Sequence, residues 1–295
     1  DCLDHVDDDI RWLGARATTN IGIRYEKLEE FGEAIALFED FIDEYHSDEA
    51  LTDQVLTAYD DLAICLGRLN RIEEMLEVAR KGLELSDQRP KGMSSRRAQL
   101  LSVESEALEK LGRLDESIDV ARQAWALAGN KHDDEGNRSI AIARLRHSNI
   151  LEDRGQYRNA LDAARSVVES FGHHRALRVR EEVMIAHVQI GDCLIELGDS
   201  PKAIEHFDLV LDEDNSDFAP WIFVRARVRK AMAWAAAERL DKALELNDLV
   251  WEDRHSEDLE VLGEVVWSQV EFGIDLERAG RFEEANTLHE RVASR

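Results

Sequence analysis

Apolar positions in this chain recur three and four residues apart. In AIALFEDFI, Ile35, Phe38 and Ile42 fall on one stripe with acidic residues between them, the mark of a helix that buries one face. Strand-like alternation does not occur over any length. The stripes predict A helices over 8–29, 49–68, 93–111, 134–154, 174–197, 217–238 and 257–279. B helices are predicted over 32–46, 71–86, 114–128, 157–171, 200–212, 241–253 and 282–294. One phrase joins A to B again and again: LEKLGRLDES from Leu108, LEDRGQYRNA from Leu151, LERAGRFEEA from Leu276. Each reads as a helix end, a tight turn and a helix start. Only 3 prolines and 16 glycines interrupt the chain, which favours long helices.

Aligning the copies on the residue just after the turn gives Ala34, Met75, Ser117, Ala160, Ala203, Ala243 and Ala285, spaced 40 to 43 residues apart. A fixed distance before each stands a small residue: Gly22, Ala63, Ser105, Ser148, Gly191, Ala231, Gly273. Three residues after the small one stands a large one: Tyr25, Leu66, Leu108, Leu151, Leu194, Trp234, Leu276. Small residues let two helices approach closely, and large ones fill the space beside them. Gly32, Gly112, Gly155, Gly198 and Gly280 are expected to form the turns, where positive φ is cheap for glycine. One hairpin cannot bury its own apolar face, so copies must stack.

The series Gly22, Tyr25, Phe31, Ala34, Phe38 resembles the tetratricopeptide repeat family, as do Gly191, Leu194, Ala203, Phe207 and Gly273, Leu276, Phe282, Ala285. The spacing exceeds that family's usual 34 residues and is similar to its long-helix variety, found in kinesin light chains and bacterial regulatory proteins. The resemblance implies an all-α, right-handed α-solenoid of about seven hairpins, forming one repeat domain over 1–295. Its repeats would run over 8–46, 49–86, 93–128, 134–171, 174–212, 217–253 and 257–294. It also implies that A helices line a concave, ligand-binding face. The longest connectors, 87–95 and 129–137, are the expected sites of proteolytic nicking.

Composition narrows the function. The net charge of −26 opposes nucleic acid and anionic membranes as partners. Cys2, Cys65 and Cys193 are odd in number and unclustered, which points away from a disulfide framework and towards a cytoplasmic location. Arginine far outnumbers lysine, as in a GC-rich bacterial genome. No phosphate loop, HExxH or nucleophile elbow occurs. DEDNSD, from Asp212, lacks the glycine and final carboxylate of a calcium loop and reads as a connector in which Ser216 or Asp217 caps the next helix. No enzyme activity, metal or cofactor is expected.

What remains is a binding surface. Arginines gather on A helices, in RALRVR and RARVRK, while B helices are acidic. The bland explanation is helix-to-helix ion pairing; the functional one is a basic floor in an acidic superhelix. The candidate contacts along the A helices are Arg16, Arg68, Lys110, Asn149, Arg178, Asp192 and Arg225, with an apolar patch from Val228, Met232 and Trp267. The expected partner is a protein or peptide with acidic and apolar side chains, held by an adaptor. The alternative is a ligand-sensing regulatory arm of a larger bacterial transcription regulator or signalling ATPase. Phe282, Leu288 and Val292 lie on the last helix with no neighbour beyond, so the chain is expected to continue or to self-associate there.

Overall fold

A computed structural model describes residues 3, 7–89, 93–128, 132–213 and 217–293. Among these residues there are fourteen α-helices and no strand, and the architecture is an all-α helical-repeat solenoid. The A helices are α1 (Asp8–Lys27), α3 (Thr52–Arg68), α5 (Ser94–Lys110), α7 (Asp134–Asp153), α9 (Leu177–Glu196), α11 (Pro220–Ala236) and α13 (Leu259–Arg278). The B helices are α2 (Phe31–Tyr45), α4 (Ile72–Gln88), α6 (Leu114–Trp125), α8 (Tyr157–Phe171), α10 (Ser200–Leu211), α12 (Leu240–Glu252) and α14 (Phe282–Ala293). Contacts divide the chain into two compact units, 1–147 and 148–295.

Every A helix that leads into a B helix ends the same way. The N–H three residues beyond the helix donates to the carbonyl of the large-slot residue: Glu30 to Tyr25, Arg71 to Leu66, Arg113 to Leu108, Gln156 to Leu151, Asp199 to Leu194, Arg239 to Trp234 and Arg281 to Leu276, all at 2.8–2.9 Å. The residue before that donor adopts positive φ. It is Gly112, Gly155, Gly198 or Gly280 in four turns, but Glu29, Asn70 or Glu238 in three. This is the Schellman closure, whose paired bonds satisfy the last carbonyls of the helix. Gly32 has no part in it; it lies inside α2, and Glu29 takes the left-handed position. In three hairpins the residue just before the B helix is an arginine that grips the carboxylate three residues on: Arg71 with Glu74, Arg113 with Glu116 and Arg281 with Glu284.

The small slot is matched in size across each hairpin. A Cβ placed on Gly22 would strike the Phe38 ring, one on Gly191 the Phe207 ring, and one on Gly273 the His289 imidazole. Where the slot holds Ala63, Ser105 or Ser148, the matching B-helix position holds Ala79, Ala121 or Ala164, all fully buried. The Ser105 and Ser117 hydroxyls lie 2.9 Å apart, Ser117 also donates to the Ser105 carbonyl at 2.8 Å, and Ser148 donates to the Ala160 carbonyl at 2.8 Å. These buried hydroxyls are therefore satisfied.

In the first unit the core runs through Phe38, Leu51, Leu56, Leu66, Leu100 and Leu108. The second holds one cluster around Phe272, Leu276 and Leu288 and another of Val224, Val228, Val250, Val261 and Val265. Each fully buried side chain of this size contributes about 1.5–3 kcal/mol. Leu288, expected on a bare terminal face, is buried, whereas Phe282 is exposed. The helix expected from 217 starts at Pro220, with Ala219 at the cap position; Ser216, the centres of the two long connectors and Cys2 lie outside the described residues. Cys65 and Cys193 are free thiols, and burial pushes both up to about 12.

Candidate functional site

Each A helix packs on its B helix along one face, and in places on the next A helix: α1 on α3 and α3 on α5 in the first unit, α9 on α11 and α11 on α13 in the second. A further stripe is left over, and several of the charged candidates lie on it.

In the first unit this stripe forms a cleft of about 310 Å³, lined by Asp60, Ile64 and Arg68 on α3, by Ser102, Glu106 and Lys110 on α5, and by Glu135 and Arg138 on α7. Three- and four-residue spacing on each helix aims these side chains the same way. The cleft unites two expected contacts, Arg68 and Lys110. Lys110 is paired with Glu106 at 2.9 Å, and Arg146 joins Glu106 at 3.2 Å and Glu109 at 2.6 Å. Arg138 pairs with Glu135 at 3.3 Å. Arg96, nearby, holds Asp53 at 2.9 Å and Gln99 at 3.0 Å. Asp60 stands apart. It is 8% exposed, and one of its carboxyl oxygens meets no donor. Burial, opposed by Arg96 and reinforced by Glu135 and Glu26, raises it to about 7. The adjoining Asp61 is pushed well above its usual range by burial and then by Asp60.

In the second unit the stripe is built from arginine and aromatic rings. Arg225 lies 4.9 Å above the Trp221 ring and 2.6 Å from Glu264. Arg229 lies 4.5 Å above Trp267, 3.5 Å from Asp192 and 3.5 Å from the Met232 sulfur. Four expected contacts, Asp192, Arg225, Met232 and Trp267, thus share this face. Burial raises Asp192 to about 6 against the pull of Arg229 and Arg225, and raises Glu152 to about 7, with Asp192 adding to the effect.

The remaining candidates are elsewhere. Arg16 stacks on Trp12 at 5.2 Å. Asn149 accepts a bond from the Gln189 side chain at 2.7 Å. Arg178 is exposed near the start of α9. Val228 is no surface contact: it is 0% exposed, in the valine cluster. The basic floor is also less bare than its sequence suggests. Arg225 and Lys110 are paired already, Arg227 bridges to Asp253 at 2.8 Å, and Lys230 pairs with Asp208. Arg180 pairs with Glu213 while covering the Phe218 ring. Arg229, one of the RARVRK arginines but not among the candidate contacts, shares a helical stripe with Arg225, and Asp60 is one carboxylate among 63 acidic residues. All six tryptophans have a cation within 6 Å of the ring. Such contacts contribute about 0.5–1 kcal/mol each at exposed sites. Among the described residues no group of three or more His, Cys, Asp or Glu is placed to hold a metal ion, and no helix is long and apolar enough to cross a membrane.

Residues 145–218 match the model of a family described as tetratricopeptide repeat. No curated protein matches the sequence. Several solved structures share the fold. BtubC (BKLC) from P. vanneervenii aligns with a TM-score of 0.62 at 13% identity, over 78% of this chain and 90% of that one. The apo form of the quorum sensor NprR from B. thuringiensis aligns at 0.60 and 13% identity, over 99% and 89%. A Rap protein complexed with Competence and Sporulation Factor aligns at 0.60 and 14% identity, over 94% and 73%. At these identities the likeness is one of fold.

Proposed function

We propose that this chain, a tetratricopeptide repeat protein, is a non-enzymatic binding module that takes up a peptide or protein segment on the outward stripes of its A helices. The observation that carries this reading is the Arg–Trp face of α11 and α13. Arg225 is 40% exposed while its partner Glu264 is only 11% exposed, so the guanidinium presents a free edge to solvent with its back already neutralised. An incoming carboxylate would add to that edge, and the Trp221, Trp267 and Met232 side chains would take apolar groups beside it. The segment favoured is therefore one with acidic and apolar side chains. The structural likeness to a quorum sensor and to a Rap protein in complex with a factor supports the related reading that the chain serves as the sensing arm of a larger bacterial protein.

The reading is tested with arrayed peptides of equal length, acidic–apolar or basic–apolar, in a fluorescence polarisation assay. Acidic–apolar peptides should bind preferentially, lose affinity as salt rises, and weaken about tenfold or more against Arg225→Glu. Equal binding of both classes, or an Arg225→Glu variant that stays folded and binds as the parent does, removes the basis for it.

A further inference from the structure

Most of the cations lining the first-unit cleft are engaged, and one of its buried anions has no partner. Lys110 and Arg146 neutralise Glu106, and Arg138 faces Glu135. Arg96 is engaged by Asp53 and Gln99. Asp60, 8% exposed on the cleft wall, has a carboxyl oxygen with no donor within reach. A buried carboxyl without a partner is costly, and such a group on the wall of a cleft invites one kind of occupant.

We propose that this cleft binds a cationic group, an ammonium or guanidinium such as a lysine or arginine side chain of the bound segment, with the Asp60 carboxylate as its counter-charge. The volume of about 310 Å³ is at the lower end of small-ligand sites, and a single long side chain is the right scale of guest. Ile64 and Val103 line it with apolar surface for the methylene stem, and the ammonium or guanidinium reaches the carboxylate at the end. The net charge of −26 raises the local concentration of cations at any concave surface of the chain. The lysine or arginine form of the guest rests on the proposed uptake of a segment; the cation site itself does not.

The experiment therefore has two arms, both at about pH 8, where the Asp60 carboxyl is ionised. In the first, agmatine and the uncharged n-pentanol are titrated into the intact chain and followed by NMR. Agmatine should shift resonances around Asp60 and pentanol should not, and Asp60→Asn, which keeps the shape of the carboxyl, should abolish the agmatine response. Arg225→Glu should leave it intact. In the second, acidic–apolar peptides that differ only in a central arginine, lysine or norleucine are compared by fluorescence polarisation. Those with a central arginine or lysine should bind at least about tenfold better than the norleucine form, and Asp60→Asn should erase that preference. If agmatine fails to bind the parent, or binds Asp60→Asn equally well, the cation site is refuted whatever the peptides do. If agmatine binds through Asp60 but no peptide binds, the cation site holds and the uptake of a segment fails.

Discussion

Two glycines that look alike in the sequence should respond to alanine with opposite signs. Gly198 closes α9 at φ +80°, and no atom lies within 4 Å of a Cβ built on it. The cost of Gly198→Ala is thus the backbone alone. Left-handed φ costs an L-residue about 1–2 kcal/mol. Alanine recovers about 0.4–1 kcal/mol by restricting the unfolded chain, which leaves a loss of about 0.5–1 kcal/mol. Gly32 lies in α2 with equally open space around it, so Gly32→Ala gains helix propensity, by less than the roughly 1 kcal/mol of a helix interior. Glu238, non-glycine at φ +58° in the equivalent turn, completes the set: Glu238→Gly should stabilise by about what Gly198→Ala loses. A repeat array need not unfold in one step, so the readout is local. Amide exchange at the Gly198 and Asp199 N–H groups, which donate to Ile195 and Leu194, should speed up about two- to fivefold in Gly198→Ala. If Gly198→Ala and Gly32→Ala shift exchange in the same direction, or Glu238→Gly loosens its turn, the assignment of cost to φ is wrong.

Gly191→Ala should destabilise the second unit by about 1–3 kcal/mol in urea unfolding, because its methyl meets the buried Phe207 ring. Adding Phe207→Leu should restore part of that loss, so the double variant costs less than the sum. Ser105→Val should lose about 1–3 kcal/mol because the branched side chain must fit a fully buried slot, although Ser117 keeps its bond to the backbone carbonyl of residue 105. Asp60 and Glu152 at about 7 and Asp192 at about 6 are raised, so their protonated forms are favoured in the fold. Their contribution to stability is complete below the ordinary carboxylate range and is lost as pH rises through 6–7. Thermal melts should accordingly show Asp60→Asn gaining on the parent at about pH 8 but not at about pH 4. His187 behaves oppositely: burial and then His206, whose ring nitrogen is 2.9 Å away, lower it to about 4. The stability it gives above the usual histidine range is lost as pH falls towards 4, and His187→Gln should remove that acid-side loss in the same melts.

Helix positions, the small slot and the large slot were legible because they arise from local periodicity and from packing within one hairpin. The turn residue was half legible. Glycine marks it at Gly112, Gly155, Gly198 and Gly280, but at Glu29, Asn70 and Glu238 the closing hydrogen bonds impose left-handed backbone on residues that do not advertise it. Gly32 misled because a glycine in a first helical turn and one in a closure have the same surroundings in sequence. The arginines on A helices are visible in the sequence, but their partners lie a repeat away rather than nearby. Arg225 meets Glu264 39 residues away, Arg146 meets Glu106 40 away, and Arg96 meets Asp53 43 away. That is one repeat, so adjacent A helices carry complementary charges in register. Asp60 left no such trace, since what sets it apart is its burial and missing donor, which depend on three helices at once.

The size match between Gly22 and Phe38, Gly191 and Phe207, or Gly273 and His289 bears on how such a chain grows. A gene segment encoding a whole hairpin carries both halves of the fit, so it can be copied or exchanged without rebuilding the contact. A crossover between A and B separates them. It can set a phenylalanine against a serine shelf with no room for the ring, or an alanine against glycine with a void between. Exchange of segments therefore disturbs the packing least when its ends fall in the connectors that run from each B helix to the next A helix.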